Sequence, residues 1–270
     1  MDFLITEFNK KSKALLSQYG FKKQRNIFGR VVFGRIVNDV YQDVYIEKWR
    51  SAINKVNARV GFGIIPLCQE LDYNQVNGGM GLYYLKEFEV GHDDRNSWNI
   101  DSWEYSINSI SINVCIDDML RYIECYLIPF FERARSCSTA FQETINIEKL
   151  FYKNYQERYL ALFGRISPEF KKEAINLYDR AKFYMALKNG DFDFALKSSK
   201  ALEQQNLNSF KSVSKSGCLT EENKAKRLLM LEKRREEIEH LELGDKEYFQ
   251  HLIEKNEDHS REVIKKVFRN

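Results

Sequence analysis

The sequence predicts an α+β protein, with an N-terminal antiparallel sheet flanked by helices and followed by an all-helical C-terminal domain. Two observations predict this class. Before residue 137, apolar residues alternate with a period of two along several segments, which is typical of strands. Beyond about residue 138 the alternation ends, and apolar residues recur at helical spacing. We therefore expect two domains, residues 1–137 and residues 138–270.

The first half begins with a predicted helix over residues 3–19, whose outer side carries Lys10, Lys11 and Lys13. Period-two alternation then predicts four strands, at residues 28–37, 40–49, 55–65 and 82–90. We expect Asn38-Asp39 to form the turn between the first two strands, because asparagine and aspartate favour turns.

The end of the first half is ambiguous. Residues 107–116 fit a strand or a helix, and we predict a strand because isoleucine and valine alternate there with smaller residues. Asp117-Asp118 is expected to start a helix, since acidic residues favour the first turn. Pro129 is expected to bend or restart that helix.

The second half is predicted to contain only helices, at residues 146–163, 168–188, 191–206, 220–242 and 245–268. Asn189-Gly190-Asp191 is expected to separate two of them, and Thr220 to begin the fourth. The serine-rich residues 207–219 are expected to be a mobile linker. Residues 181–196 look like the turn of a tetratricopeptide-type helix pair, but one copy predicts an ordinary helical hairpin.

The composition excludes several classes of protein. The chain has 270 residues with 43% apolar residues, which is enough for a sizeable core and is not typical of disorder. With 42 Lys+Arg against 39 Asp+Glu, the net charge is only +3, so the overall charge does not indicate a DNA-binding protein. No stretch approaches the roughly 20 apolar residues of a membrane helix, so we expect no membrane partner.

The expected compartment is the bacterial cytoplasm. Residues 1–9 carry two acids and lack the basic start and apolar run of a signal peptide. The five cysteines are scattered and odd in number, which favours reduced thiols over a disulfide framework or a zinc cage.

Short motifs in the first half resemble an uncharacterised bacterial family, domain of unknown function 4304. The matching segments cover about the first 135 residues: Gly20-Phe21-Lys22-Lys23, Phe28 with Arg30, Gln42-Asp43-Val44, Gly61-Phe62-Gly63-Ile64 and Ile128-Pro129-Phe130-Phe131. The resemblance implies a small α+β domain with no established activity and no catalytic residues to transfer. The chain departs from the family's compact pattern at residues 66–103 and in the whole helical half.

No set of residues predicts catalysis, a cofactor or a metal. Nucleotide-binding glycine motifs are missing, and Gly61-Phe62-Gly63 indicates close packing or a bulge within a strand. The loop Gly91-His92-Asp93-Asp94 offers polar groups, but adjacent residues rarely point at one ion. Cys68 follows a strand end without a histidine nearby in sequence, which favours a buried structural thiol.

An aromatic set in the first half is the candidate partner-binding surface, because tyrosine, tryptophan and arginine dominate protein–protein hot spots. Its members are Tyr41, Tyr45, Trp49, Arg50, Trp98 and Trp103. The alternative interpretation is that the helical half covers this face of the sheet. Similarly, a short apolar seam is predicted along one helix, and it consists of Leu228, Leu231, Ile238 and Leu241. A seam of this length is more typical of core packing than of a coiled coil.

Three hypotheses about function follow. The first is a non-enzymatic bacterial protein-binding module whose partner is another protein, with immunity or phage defence as its proposed setting. The second is a nucleic-acid-associated factor that uses the basic segment 224–235, with Lys224, Lys226, Arg227, Arg234 and Arg235, together with the lysines at 10–13. The third is a hydrolase with a site near His92 and Cys68. The sequence does not indicate an oligomeric state.

Overall fold

The predicted α+β class is confirmed by the computed structural model. The structure describes residues 3–24, 32–52, 55–70, 80–81, 85, 103–106, 109–165, 175, 177, 179–215 and 220–268. Strands occur before residue 107, and the described elements after residue 108 are helices. The proposed division at 137/138 into two domains stays a prediction.

The sheet is antiparallel in all its described pairings. Its strands are β1 (Lys22–Lys23), β2 (Val32–Val37), β3 (Val40–Ala52), β4 (Lys55–Pro66), β5 (Met80–Gly81) and β6 (Trp103–Ser106). They follow the order β1-β2-β3-β4-β5, and β6 also pairs with β4. The predicted turn at Asn38-Asp39 is confirmed, and it sets Val37 opposite Val40.

Eight described α-helices accompany the sheet: α1 (Phe3–Ser17), α2 (Ser109–Tyr122), α3 (Ile128–Arg133), α4 (Cys137–Phe163), α5 (Arg180–Lys188), α6 (Phe192–Lys215), α7 (Glu221–Glu242) and α8 (Lys246–Phe268). A π-helical turn, Ile123–Leu127, links α2 to α3, and Pro129 lies in the first turn of α3. Leu127 and Ile128 keep helical backbone angles, so the helix continues through Pro129 with a change from the π to the α pattern and does not end and restart there.

One buried cluster contains side chains from both halves of the chain. Val44 and Ile46 of β3 and Phe62 of β4 belong to it with residues of α1, α2, α3, α5 and α8. Near the end of β4, Asn256 donates to the carbonyl of Cys68 at 3.0 Å and Ser260 donates to that of Gln69 at 2.6 Å. The last helix is therefore anchored to the sheet by specific hydrogen bonds.

The strand predicted over residues 107–116 is wrong in its described part, because residues 109–116 belong to helix α2, and residues 107–108 lie outside the described residues. Helical spacing buries Ile112, Ile116 and Met119 together, while Ile110 and Val114 are 78% and 65% exposed. A strand would have placed Ile110 and Ile112 on one face. Asp117-Asp118 consequently lies inside the helix instead of starting it, and Asp117 accepts a hydrogen bond from Lys11 of α1.

The mobile linker predicted at residues 207–219 is also wrong over most of its length. Helix α6 continues to Lys215, and residues 216–219 lie outside the described residues. The segment stays helical because Leu207, Phe210 and Val213 are half-buried at a spacing of three residues. Helix α4 begins nine residues before its predicted start, where Ser136 and Thr139 form a capping box.

Several other predictions can be compared with the described residues. The helices predicted at 3–19, 220–242 and 245–268 are confirmed within a few residues, as is the break at Asn189-Gly190-Asp191, where Gly190 has a φ of +75°. Most of the strand predicted at 82–90 and the first part of the helix predicted at 168–188 lie outside the described residues. Of the helices that the structure describes, none has the length and apolar character needed to span a membrane.

Gln42 connects the sheet to the end of α3. Its side chain is fully buried, and its Nε2 donates to the carbonyls of Phe131 and Ala134 at 2.9 and 2.8 Å. Its Oε1 accepts from Arg35 at 2.8 Å, and Arg35 also donates to Glu132. One amide therefore provides partners for carbonyls that the helix end leaves unpaired.

Replacing Gln42 with leucine should lower the free energy of unfolding by about 2 kcal/mol, because buried carbonyls and a guanidinium N–H lose their partners. Chemical denaturation monitored by circular dichroism measures the change. The matched control is Gln18→Leu, since Gln18 is exposed and its amide donates to one helix carbonyl at 3.1 Å; that change should stay within about 0.5 kcal/mol. Equal stability of the two variants would contradict the role of Gln42.

Candidate functional site

Tyr41 and Tyr45, two members of the predicted aromatic surface, are core residues. Tyr41 is fully buried in a cluster with Val263 and Ile264 of α8, so the helical half covers this part of the sheet face. The ring of Tyr45 lies over Gly61 of the neighbouring strand, and that of Tyr41 over Gly34. The prediction that these tyrosines face a partner is therefore corrected, and the predicted close packing at Gly61 is confirmed.

The other members of the aromatic set are not brought into a described site. Trp49 and Arg50 lie in β3 and Trp103 lies in β6, opposite Ala58, but their side chains are outside the described part of the structure. Trp98 and His92 lie in the undescribed segment 86–102. The hypothesis of an aromatic binding surface therefore depends on Trp49, Arg50, Trp98 and Trp103, whose side chains are outside the described part of the structure.

Cys68 and Cys137 form a buried pair of thiols where β4 ends and α4 begins. The Cys68 thiol donates to the carbonyl of Tyr184, and the Cys137 thiol to that of Asp39, both at 3.5 Å. Hydrogen bonding to Cys68 and burial raise the pKa of Cys137 far above its usual value. A nucleophilic cysteine needs the opposite shift, toward the thiolate, so the Cys137 thiol favours a structural role. Cys68 is fully buried, and its hydrogen bond to a backbone carbonyl favours the same role.

Metal ligands do not converge in the described structure. Among the residues that it covers, no three histidine, cysteine or carboxylate side chains are grouped as a metal would require. Burial and then the neighbouring Asp43 raise the pKa of Tyr41 well above its usual value, so its hydroxyl stays protonated. The Gly91-His92-Asp93-Asp94 loop lies outside the described residues, and its chemistry stays a prediction.

Arg234, a member of the proposed nucleic-acid segment, is buried in a cluster that joins three helices. The carboxylate of Glu237 accepts two hydrogen bonds from Arg180 of α5, at 2.8 and 3.2 Å, and a very short one from Arg234. Ser199 of α6 lies 3.5 Å from the same carboxylate. Arg234 therefore holds α7 against α5 and α6 and is not available to a phosphate, which corrects that assignment.

Four other basic residues of segment 224–235, namely Lys224, Lys226, Arg227 and Arg235, also have partners within the chain. Lys226 pairs with Glu222 at 2.6 Å and Lys224 with Glu221 at 3.7 Å. Arg227 donates to Ser209 and Arg235 to Glu203, on the facing helix. This arrangement is typical of a solvated helix face, although exposed ion pairs of this kind contribute little to stability.

Helices α6 and α7 form an antiparallel pair whose outer part we call the hairpin arm, residues 203–215 and 221–235. The Arg235–Glu203 pair, at 3.0 Å, marks its base. Among the arm residues whose side chains are described, Leu231 and Arg234 are the buried ones. The arm therefore contributes little to the core and extends one helix pair beyond it.

An apolar patch lies on the arm. Leu228, Leu229 and Met230 are 42%, 54% and 43% exposed, although they follow one another along α7. Successive helix positions are rotated by about 100°, so three exposed neighbours cover a broad arc of the surface. Leu231 and Leu241 of the predicted helical seam are buried, as expected for core packing, whereas Leu228 of the same seam is exposed. The sequence signal for this patch is the run of four apolar residues at 228–231, because four consecutive helix positions span a wider arc than one buried stripe.

Charge divides sharply at the base of the arm. Residues 203–235 carry eight basic and four acidic residues, a net charge of +4, whereas residues 236–262 carry three basic and ten acidic residues, a net charge of −7. The segment that carries the apolar patch is therefore basic in composition, and the segment that follows it along the chain is acidic.

In comparisons with protein families, curated proteins and solved structures, the chain had no match. The resemblance to domain of unknown function 4304 accordingly stays a prediction. The residues of the chain itself are the basis for a proposed function.

Proposed function

We propose that this chain is a non-enzymatic protein-binding module whose hairpin arm docks on another protein. The observation that carries the proposal is the exposed run Leu228-Leu229-Met230, which lies on an arm that has few buried side chains. Exposed contiguous apolar surface with a polar rim is typical of protein interaction sites. Because the three residues cover a broad arc of α7, we expect the partner to contact this helix along more than one side.

The stability of the arm supports the same proposal. A helix gains most of its stability from packing of its apolar face, and isolated helices are marginal in water. The arm's helices pack mainly on each other, because the buried arm side chains are confined to the base. A partner that covers Leu228, Leu229 and Met230 would supply the missing packing.

The charge of the arm indicates the chemistry of the partner. Since the patch is set in a region of net charge +4, we propose a partner surface that is apolar at its centre and acidic at its rim. A nucleic acid would match the charge, but its phosphates would leave the apolar residues Leu228, Leu229 and Met230 without a matching surface.

The biological setting that we propose is the cytoplasm of a bacterium, in immunity or phage defence. It is suggested by the use of similar uncharacterised bacterial domains and not by a residue of this chain. Neighbouring genes test it: an adjacent toxin gene is expected, and a position within a metabolic operon would count against it.

A photo-crosslinking amino acid at position 229 tests the arm directly. Cross-linking in cells of the source organism, followed by mass spectrometry, should identify a protein whose cross-linked peptide carries acidic residues beside apolar ones. The same probe at Lys197, which is exposed on α6 outside the arm, is the matched control and should not capture that protein. Capture that is lost after nuclease treatment would favour the nucleic-acid alternative and contradict the proposal.

With the captured protein in hand, Leu229→Asp should weaken binding about 30-fold or more, because a central apolar contact is worth at least about 2 kcal/mol. Isothermal titration calorimetry measures the affinity. Leu229 is more than half exposed, so the variant should keep its thermal stability, and a melting curve checks this. Unchanged affinity in the folded variant would exclude the patch as the binding surface.

A further inference from the structure

The turn between β2 and β3 brings Cys68 and Cys137 together. The backbone N–H of Leu67, which immediately precedes Cys68, donates to the carbonyl of Asp39 at 2.8 Å, and the Cys137 thiol donates to the same oxygen at 3.5 Å. The backbone N–H of Cys137 also donates to the Asp39 carboxylate, at 2.9 Å. One residue of the turn therefore holds the end of β4 and the first residue of α4 beside each other.

The two thiol groups contact each other. A hydrogen bond with Cys68 is the largest cause of the raised pKa of the Cys137 thiol, and burial is the second. Both cysteines are fully buried, and neither is part of a disulfide. Two sulfur atoms within hydrogen-bonding reach need only a short approach to the S–S bond length of about 2 Å.

A bond between these sulfur atoms would join distant parts of the chain. The cysteines are 69 residues apart in sequence. The Cys68 thiol donates to the carbonyl of Tyr184 in α5, and Asn256 of α8 donates to the carbonyl of Cys68. Because a cross-link between distant residues restricts the unfolded chain, it would stabilise the packing of the sheet against the helices around it.

From these contacts we infer that Cys68 and Cys137 form a disulfide when the chain meets a low-molecular-weight disulfide such as glutathione disulfide. The structure contains the reduced form of the pair. The inference does not depend on the proposed function, since neither cysteine belongs to the hairpin arm.

The reaction is thiol–disulfide exchange in two steps. The thiolate of one cysteine attacks glutathione disulfide, the S–S bond of the oxidant breaks, and the departing glutathione takes up the proton that the cysteine lost. The second cysteine then loses its proton and attacks the cysteine sulfur of the mixed disulfide, which releases the second glutathione with that proton. Two electrons and two protons pass in total from the cysteines to the oxidant.

Burial controls the rate of this reaction. In the folded chain glutathione cannot reach the thiols, and the raised pKa of Cys137 keeps its thiolate scarce. Exchange therefore requires local opening, or it takes place while the chain folds. The same burial protects the disulfide from reductants once it has formed.

Refolding of the full chain in glutathione buffers tests the inference, because it removes the barrier that burial imposes. The reduced chain is unfolded in urea, diluted into graded ratios of glutathione to its disulfide, alkylated and digested without reduction. Mass spectrometry should find a peptide pair that joins Cys68 to Cys137. The other three cysteines, Cys115, Cys125 and Cys218, should be alkylated.

The folded chain should favour this disulfide at least about 100-fold more than a chain kept in urea, which is the factor by which the disulfide stabilises the fold. Alkylation of both Cys68 and Cys137 at every glutathione ratio, a cross-link between other cysteines in their place, or an equal preference in the folded and unfolded chains would overturn the inference.

Thermal melting gives a second measurement with matched variants. The oxidised wild type should melt about 5–10 °C above the reduced wild type. Cys137→Ala lacks one sulfur atom of the pair and should show no difference between oxidising and reducing buffers. Cys125→Ala is the control, because Cys125 is an exposed thiol outside the pair, and this variant should respond like the wild type.

Discussion

Replacing Glu148 with leucine is expected to destabilise the protein by about 3–5 kcal/mol, because it leaves a buried ammonium group without its main counter-charge. Lys182 of α5 is fully buried, and its Nζ lies 2.5 Å from a carboxylate oxygen of Glu148 on α4. The second acid near this lysine, Asp179, is 3.9 Å away and already accepts a hydrogen bond as the N-cap of α5. Equilibrium denaturation in urea, followed by circular dichroism, measures the loss.

Two further variants identify the cause of that loss. The double change Lys182→Met/Glu148→Leu removes both charges and should recover most of the lost stability, since a buried ion pair adds little over apolar residues of similar size. Glu157→Ala removes an exposed acid of the same helix that lies 3.9 Å from Lys153, and it should cost less than about 1 kcal/mol. A double variant as unstable as Glu148→Leu would show that packing, and not the unpaired charge, is responsible.

Adding a single methyl group at Gly61 is expected to cost about 3 kcal/mol, the upper range for overpacking in a core. A Cβ at this position would lie 2.2 Å from Cζ of Tyr45, and Tyr45 is itself buried on the next strand. The ring cannot move outward without leaving the core, so Gly61→Ala displaces either the tyrosine or the strand. The same urea denaturation measures the change in stability.

We expect Tyr45 to be the residue that clashes with the added methyl group, and a double-mutant cycle tests this expectation. In a Tyr45→Ala background the clash is absent, so Gly61→Ala should cost at least about 1.5 kcal/mol less than in the wild type. Gly190→Ala is the comparison for backbone strain alone, because Gly190 has a φ of +75° and no atom within 4 Å of an added Cβ. It should cost about 1 kcal/mol, because an L residue is strained in the left-handed conformation. Additive effects at Gly61 and Tyr45 would contradict the steric explanation.

The sequence predicted most helices and strands because their signals are local. The alternation along β3 and β4 and the spacing of apolar residues in α7 and α8 depend only on neighbours within a few turns. The helix α2 was missed for a physical reason: residues 107–116 satisfy both periodicities. The choice between them is made by contact with α1 and the sheet, which burial of Ile112 and Ile116 completes.

The predicted binding residues show the same difference between what the local sequence predicts and what tertiary packing determines. Tyr41 and Tyr45 have the composition of an exposed hot spot, but α8 covers the ring of Tyr41, and the glycines beneath both rings let them lie flat on the sheet. Leu228 has the spacing of a core residue, but no third helix reaches it among the described elements, and it remains exposed. Composition identified residues capable of binding, and the packing partners determined which of them are accessible.

Local sequence alone thus determined the α+β class, most of the helices and strands and the reversal of charge between Arg235 and Glu236, because each depends on residues that are close along the chain. Tertiary structure decided that α2 is a helix, which apolar side chains are covered and which basic side chains are paired. These properties depend on contacts between segments that are far apart in sequence, such as Tyr41 with Ile264, and no periodicity within either segment specifies them.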